Sequence, residues 1–438
     1  MPAPGGRSAR VPGNTGGGLG LALEAVRPDN QRRMPPRRAG LAFIFVTLLL
    51  DTLGFGLLIP VGPHLVRELQ GGTEGDAAQI VGYLGATYAI MLFLFAPVLG
   101  ALSDRFGRRP VLLVSMFGSG LDYVAMALVP SVGWLFVTRV LNGLTGASMT
   151  AASAYIADVT PPEKRAAGFG IVGAAFGLGF VLGPLLGGLL GHYDIRWPFY
   201  AAAVITMANW LYGLLVLPES LPPERRRSAA GFRWNPARAL AILGRQPFVL
   251  FIALALFLLN LAQFALHSTW VFYTGHRYGW GPREVGWSLL AVGLGAALVQ
   301  GGLARRIIPK LGERRSVLTG FVVGGLAYLG YGLASEGWMI YLVIALASLG
   351  GIAMPACQSL VTKCVRGDEQ GQVQGALTSV QSLANIGGPL LGSQVFAWSI
   401  ASERAAPWPG LVFFVCAGVA ALALGVALHA LRAAHIQR

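Results

Sequence analysis

Twelve stretches of this chain are apolar almost without interruption: 40–64, 79–102, 110–129, 133–156, 167–190, 197–217, 247–270, 285–303, 316–334, 338–361, 372–396 and 408–431. Each is close to the roughly 20 residues that a helix needs to cross a bilayer. The ten-residue alternation of a membrane β-barrel is not visible. The pattern predicts an all-α polytopic membrane protein with twelve transmembrane helices. A polar, proline-bearing stretch at 218–246 divides the runs six and six. The organisation expected is a disordered basic N-terminus (1–38), a six-helix bundle (39–217), a central cytoplasmic linker (218–246), a second six-helix bundle (247–432) and a short cytoplasmic C-terminus (433–438).

Composition agrees with lipid as the main solvent. Of 438 residues 54% are hydrophobic and 12% charged, with a mean hydropathy of +0.61. Glycine, at 61 residues, is about twice its usual frequency, and in a bundle it lets helices pack backbone to backbone. The net charge of +14 would point to nucleic acid in a soluble protein. Its placement points to topology instead. Of 33 Lys and Arg, 27 fall on one side of the twelve runs, Arg139 lies inside a run, and only Arg67, Arg196, Arg277, Arg283 and Arg404 fall on the other side. The positive-inside rule then puts both termini in the cytoplasm, and no nucleic-acid partner is expected. Cys357, Cys364 and Cys416 lie in or beside apolar runs without metal-ligand spacing, so a structural disulfide is not expected. Within the central stretch, FRWNPARALAILGR reads as an amphipathic helix with Arg238 and Arg245 at the headgroups. Met34, directly before a short basic leader, reads as the natural start.

The two halves are related. GPLLG at 183–187 recurs at 388–392, an offset of 205, and the same offset carries Gly170 to Gly375 and Gly107 to Gly312. Two parallel six-helix repeats are the expectation, forming pseudo-symmetric bundles.

Charge inside the runs marks candidate chemistry. Asp51 lies about 16 Å deep in the first run and Asp122 about 18 Å deep in the third, counting about 1.5 Å per residue. Each acid is either a proton or substrate carrier or a satisfied structural residue. Arg139 needs an anion, and either acid could supply it; protonating that acid would release the pair. In the fifth run Gly170, Gly179, Gly183, Pro184, Gly187 and Gly188 form a glycine-lined face with a proline bend. Asn260 and Gln263, and Gln381 and Asn385, share helix faces. Together with Asn142 they either line a cavity for an amphipathic solute or bond helices to one another. His267 and His276 are placed at the outer boundary.

Between the second and third runs lies GALSDRFGRRPVLL at 100–113. It resembles the loop signature G-x-L-x-D-R-x-G-R-[RK] of the major facilitator superfamily at every specified position. The element R-x-x-x-G-x-x-G at Arg139 resembles that of proton-coupled members. The spacing G-x8-G-x3-G-P-x2-G-G resembles that of drug-exporting antiporters. With DTLGFGLLIPVGP at 51–63 and GSGLDY at 118–123, the chain is most similar to the tetracycline/proton antiporter group. The resemblance implies proton coupling through Asp51, Asp122 and Arg139, and a cytoplasmic gate of Asp104, Arg105, Arg108, Arg109 and Asp158. Asp104 would either cap a helix or pair with Arg108 and Arg109.

Two positions depart from that group. Gly324 stands where those pumps carry a membrane aspartate, and Ala296 where they often carry a histidine. None of the nineteen Asp and Glu lies deep in a C-half run, so any coupling must run through the N-half. The function expected is a proton-coupled antiporter, not an enzyme. It would export small amphipathic molecules, tetracycline-like or related, across a bacterial cytoplasmic membrane by alternating access. Import of a metabolite is the rival reading, which the fifth-run motif disfavours. The expected partners are protons, a small-molecule substrate and lipid; no cofactor or metal is expected, and the chain would act as a monomer.

Overall fold

A computed structural model describes residues 37–146, 148–160, 165–226, 243–244, 246–365, 370–401 and 408–436. The first 33 residues before Met34 and the stretch holding Arg238 and Arg245 lie outside the described residues. The described chain is helical, in twelve rods. They are α1 (Arg37–Leu58, bent by 42° onto Gly62–Gln70), α2 (Glu74–Phe106), α3 (Arg108–Ala127) and α4 (Val132–Thr145, then Ser148–Val159). Next come α5 (Arg165–Tyr193), α6 (Trp197–Val216), α7 (Pro247–Tyr278) and α8 (Pro282–Leu298, a π-helical turn Val299–Leu303, then Ala304–Leu311). Last are α9 (Glu313–Leu333), α10 (Gly337–Gly350, then Ala353–Cys364), α11 (Gln370–Ser399) and α12 (Leu411–Ile436).

Nine described helices are long and apolar enough to span a membrane, ten with the bent α1 taken as one. The remaining rods are α4, divided into pieces of 14 and 12 residues, and α11, diluted by Ser379, Gln381, Ser382 and Asn385. Local chemistry sets several ends. Thr73 and Asp76 form a reciprocal capping box at the start of α2. Proline at the first position opens α7 and α8. Gly279, at φ +68°, closes α7 in the left-handed conformation that glycine tolerates.

Each half is assembled on one joint, repeated. A Cβ on Gly183 or Gly187 of α5 would come closer than 3.0 Å to the carbonyl oxygens of Leu53 and Leu57 in α1. On Gly388 or Gly392 of α11 it would meet those of Leu261 and Ala265 in α7 equally closely. The glycines are 205 positions apart and the carbonyls 208, so register is kept within each pair of helices. The predicted duplication is therefore present as a contact and not only as a sequence echo.

α1 begins and α12 ends on the face that carries most of the positive charge, here the basic face. The halves meet away from it. Gly75, Gly82 and Gly85 of α2 lie against Ala397, Ser393 and Pro389 of α11, and Gly188 of α5 lies against Pro282 and Gly286 of α8. Nearer the basic face, a Cβ on Gly173, Gly177, Gly301, Gly302 or Gly375 would meet nothing within 4 Å, so these positions of α5, α8 and α11 face open space. The close glycine contacts between the halves thus lie on the side opposite the basic face.

Candidate functional site

The N-half holds a buried charge cluster. Arg139 in α4 donates from Nη2 to Asp122 Oδ2 of α3 at 2.7 Å, with the two side chains 15% and 2% exposed. Asn142, one helical turn on, donates from Nδ2 to the same oxygen at 2.6 Å. Spacing explains the geometry, since positions three apart on α4 share a face. Asn142 is buried and serves the acid. The second carboxylate oxygen, Asp122 Oδ1, is buried without a hydrogen-bond partner. Of the two acids the sequence left open for Arg139, Asp122 is hydrogen-bonded to it. Asp51 in α1 lies within electrostatic reach of Tyr88 and Tyr123, as Asp122 does. All three charges therefore act on one interior region bounded by α1, α2, α3 and α4.

The signature loop forms a second network at the basic face. Gly107, at φ +107°, makes the turn that lets α3 start one residue after α2 ends. Arg108 is held by Asp104 one turn back, by Asp158 at the end of α4 at 3.0 Å, and by Ser103. Arg109 donates to the Leu214 carbonyl of α6 at 2.8 Å. Arg105 lies over the Phe106 ring. Of the two roles open to Asp104, pairing is the one present, and its partner is Arg108.

The helix cap comes from a residue that sequence reasoning missed. Glu219, just beyond α6, accepts from the backbone N–H groups of Arg108 at 2.9 Å and Arg109 at 3.3 Å. An anion there answers the unpaired N–H groups and the positive end of the α3 dipole. Ser220 Oγ reaches Asp158 at 3.3 Å, and Tyr155 donates to the Pro218 carbonyl. Among the described residues, every partner in this network belongs to the N-half or to the first residues after it. Only the PES triplet at 218–220, read as linker, hinted at it.

The α5 motif divides its labour between two faces. Gly179, Gly183 and Gly187 recur every four residues and pack on α1, with Gly179 against Thr52 and the Leu49 carbonyl. Gly188 faces α8 of the other half and approaches the Pro282 carbonyl, while Pro184 serves both sides, its ring against Gly56 of α1 and its carbonyl approached by Gly286 of α8. Gly170 lies in the same helix, nearer the basic face. One face is an internal joint and the other is the seam between halves. Nearby, Glu74 of α2 binds Arg67 at 2.7 Å and also His276 Nδ1 of α7 at 2.7 Å, bridging the halves. Gln394 of α11 donates to the Tyr83 hydroxyl of α2 at 2.8 Å across the same seam.

In the C-half, Gln263 and Gln381 are accessible, Asn385 is partly so, and Asn260 is buried with its amide donating to the Leu256 carbonyl at 2.7 Å. The placement of His267 at the outer boundary is corrected. α7 runs on to Tyr278, beyond the run that ended at 270, so His267 sits about one turn past the middle of the helix. Gln263 Nε2 and His267 Nε2 are 2.8 Å apart. His276 alone lies at the outer end. Gly324 contributes backbone only: Gly350 of α10 packs over its N and Cα, and a Cβ on Gly324 would touch nothing. Among the described residues no cluster of three His, Cys, Asp or Glu side chains could hold a metal.

Comparison with known proteins agrees with this arrangement. The family profile described as Major Facilitator Superfamily matches residues 44–389 and 273–436. The class C tetracycline resistance protein of Escherichia coli is 39% identical over 387 residues, covering 86% of this chain and 94% of the relative. The class D protein of Salmonella ordonez is 35% identical over 383 residues, covering 85% and 94%. Among solved structures, the human organic anion transporter MFSD10 (TETRAN) superposes with a TM-score of 0.68 at 27% identity, covering 90% of this chain and 100% of that one. A duplicated six-helix joint, a seam between two halves and a match along most of the chain lead to one conclusion: this protein belongs to the major facilitator superfamily and is a multi-pass membrane transporter.

Proposed function

We propose that this protein exports small amphipathic molecules of the tetracycline-like class from a bacterial cytoplasm in exchange for protons. The basic face is the cytoplasmic one, with both termini on it, and the chain works as a monomer in the inner membrane without a cofactor. The observation that carries the coupling is the buried Arg139–Asp122 pair, with Asn142 as a second donor to the same oxygen. An ionised carboxylate in that setting is stable only while the guanidinium faces it. A proton arriving at Asp122 removes the charge that holds Arg139, loosening α3 from α4. Asp51, acting on the same interior region, is the second acid of the pathway. The export direction rests on the relatives, named as tetracycline resistance proteins, and on the α5 motif.

Alternating access follows from the two kinds of α5 contact. The α1 joint keeps the N-half one body, while the α8 seam, the Glu74–His276 bridge and the Tyr83–Gln394 bond must part for release outside. The loop network keeps the N-half rigid as it rocks. Everted vesicles carrying the protein should accumulate tetracycline when a proton gradient is imposed, and Asp51→Asn should abolish that accumulation with protein still in the membrane. Unloading in place of accumulation would indicate import, and full activity of Asp51→Asn would remove this residue from the coupling pathway.

A further inference from the structure

We propose that His267, with Gln263 and Tyr328, forms the C-half contact that recognises a hydroxyl- or keto-bearing edge of the transported molecule. The inference rests on the exporter reading above and extends it to one residue. His267 is solvent-accessible although it lies only about one turn past the middle of the spanning helix α7. A polar side chain exposed at that depth of a span faces water between the helices rather than lipid. Asn260, Gln263 and His267 are spaced three and four apart, one continuous helix face.

The trio is held in place by its neighbours. Gln263 Nε2 meets His267 Nε2 at 2.8 Å, and the Tyr328 hydroxyl of α9 donates to Gln263 Oε1 at 3.4 Å. Gln263 donating through its amide makes Nε2 of a neutral imidazole the acceptor, which leaves Nδ1–H as a donor. The Phe264 ring braces the imidazole edge-on with centroids 6.2 Å apart. Phe264 is itself wedged over Gly388 of α11, within the repeated GPLLG segment. An imidazole oriented by an amide and an aromatic edge presents one directed donor beside an apolar ring. That combination suits a flat solute with an oxygen-bearing rim and an apolar body. Because no Asp or Glu lies deep in a C-half span, this wall offers hydrogen bonds and no fixed negative charge. The carboxylates of the N-half stay available to protons.

The test uses the full chain in everted vesicles, with tetracycline as the probe and an imposed proton gradient as the drive. His267→Ala should raise KM about ten-fold, the loss of one directed hydrogen bond in a dry site, with maximal rate within about two-fold of wild type. His267→Gln, which keeps a donor near the same place, should return KM to within about three-fold. Tyr328→Phe should raise it by a smaller factor. An unchanged KM in His267→Ala, or a fall in maximal rate alone that His267→Gln does not rescue, would overturn the proposal. Wild-type vesicles that accumulate no tetracycline would count against the exporter reading. The placement of His267 is then decided by His267→Cys combined with Cys364→Ser. Labelling of that thiol by a water-soluble maleimide from the basic face supports the cavity position, and an inert thiol refutes it.

Discussion

Neighbouring glycines in α5 should respond to the same substitution in different ways. A Cβ on Gly187 meets the Leu57 backbone inside the N-half, and a Cβ on Gly188 meets the Pro282 carbonyl and Gly286 Cα across the seam. Both approaches are shorter than 3.0 Å and involve backbone, which has no rotamer with which to retreat. Overpacking of this kind costs about 1–3 kcal/mol. In Gly187→Ala the penalty falls on every conformation, because α1 and α5 move as one body. In Gly188→Ala it falls only on conformations whose outer seam is closed. A cost of about 1–3 kcal/mol there shifts the closed-to-open ratio by roughly 5- to 150-fold. Spin labels at the exposed positions Tyr193 and Arg283, on either side of the seam, would read this in pulsed dipolar spectroscopy with Cys364 replaced by Ser. Gly188→Ala should move the distance distribution to longer separations with little loss of thermal stability. Gly187→Ala should lower thermal stability and leave the distances alone. A folded Gly188→Ala protein with wild-type distances would refute the division of the motif into joint and seam.

Asp122→Asn should destabilise the folded protein by about 3 kcal/mol, since it leaves a largely buried guanidinium facing a neutral amide. Combining it with Arg139→Gln should recover most of that loss but not coupled transport, and additive losses in a double-mutant denaturation cycle would contradict the pairing. At the two related loop turns, Gly312→Ala should cost about 1–2 kcal/mol from its positive φ alone. Gly107→Ala should cost more in the same unfolding assay, because its Cβ also meets the Glu219 carboxylate. Glu74→Gln weakens a partly exposed bridge to His276, so screening keeps the effect below about 1 kcal/mol. The outer seam should then open by no more than about five-fold, measured with the same spin-label pair.

The order and count of the rods were legible because lipid demands long apolar runs, and a polar break between them cannot hide. The Arg139–Asp122 pair was nearly legible: a cation in a membrane helix must find an anion, and only two acids were deep enough. What remained hidden depends on distances between segments remote in sequence. Glu219 sits 111 positions from the backbone N–H it caps, and nothing in a proline-rich linker says which helix end it will reach. Glu74 and His276 are 202 positions apart, and each alone reads as an ordinary surface charge. His267 was misplaced for a different reason. Apolar periodicity ended the seventh run at 270, whereas the helix continues through Trp270–Tyr278, whose hydroxyls and ring nitrogen find partners outside it: Trp270 with Ser288, Tyr273 with Tyr331, Tyr278 with Ala334. Polar side chains satisfied by neighbouring helices end a hydrophobic pattern before they end a helix.

The Glu219 cap also changes where the N-terminal module stops. By hydropathy it ends at 217, one residue past the end of α6, but the residues that finish α3 and clasp Asp158 come from 218–220. A chimera or split transporter cut directly after α6 would therefore carry a frayed third helix. One cut after Leu221, whose own N–H also closes on the Glu219 carboxylate, would carry a finished one. In a protein built by duplicating six helices, the smallest transferable part is six helices and the first five residues that follow them.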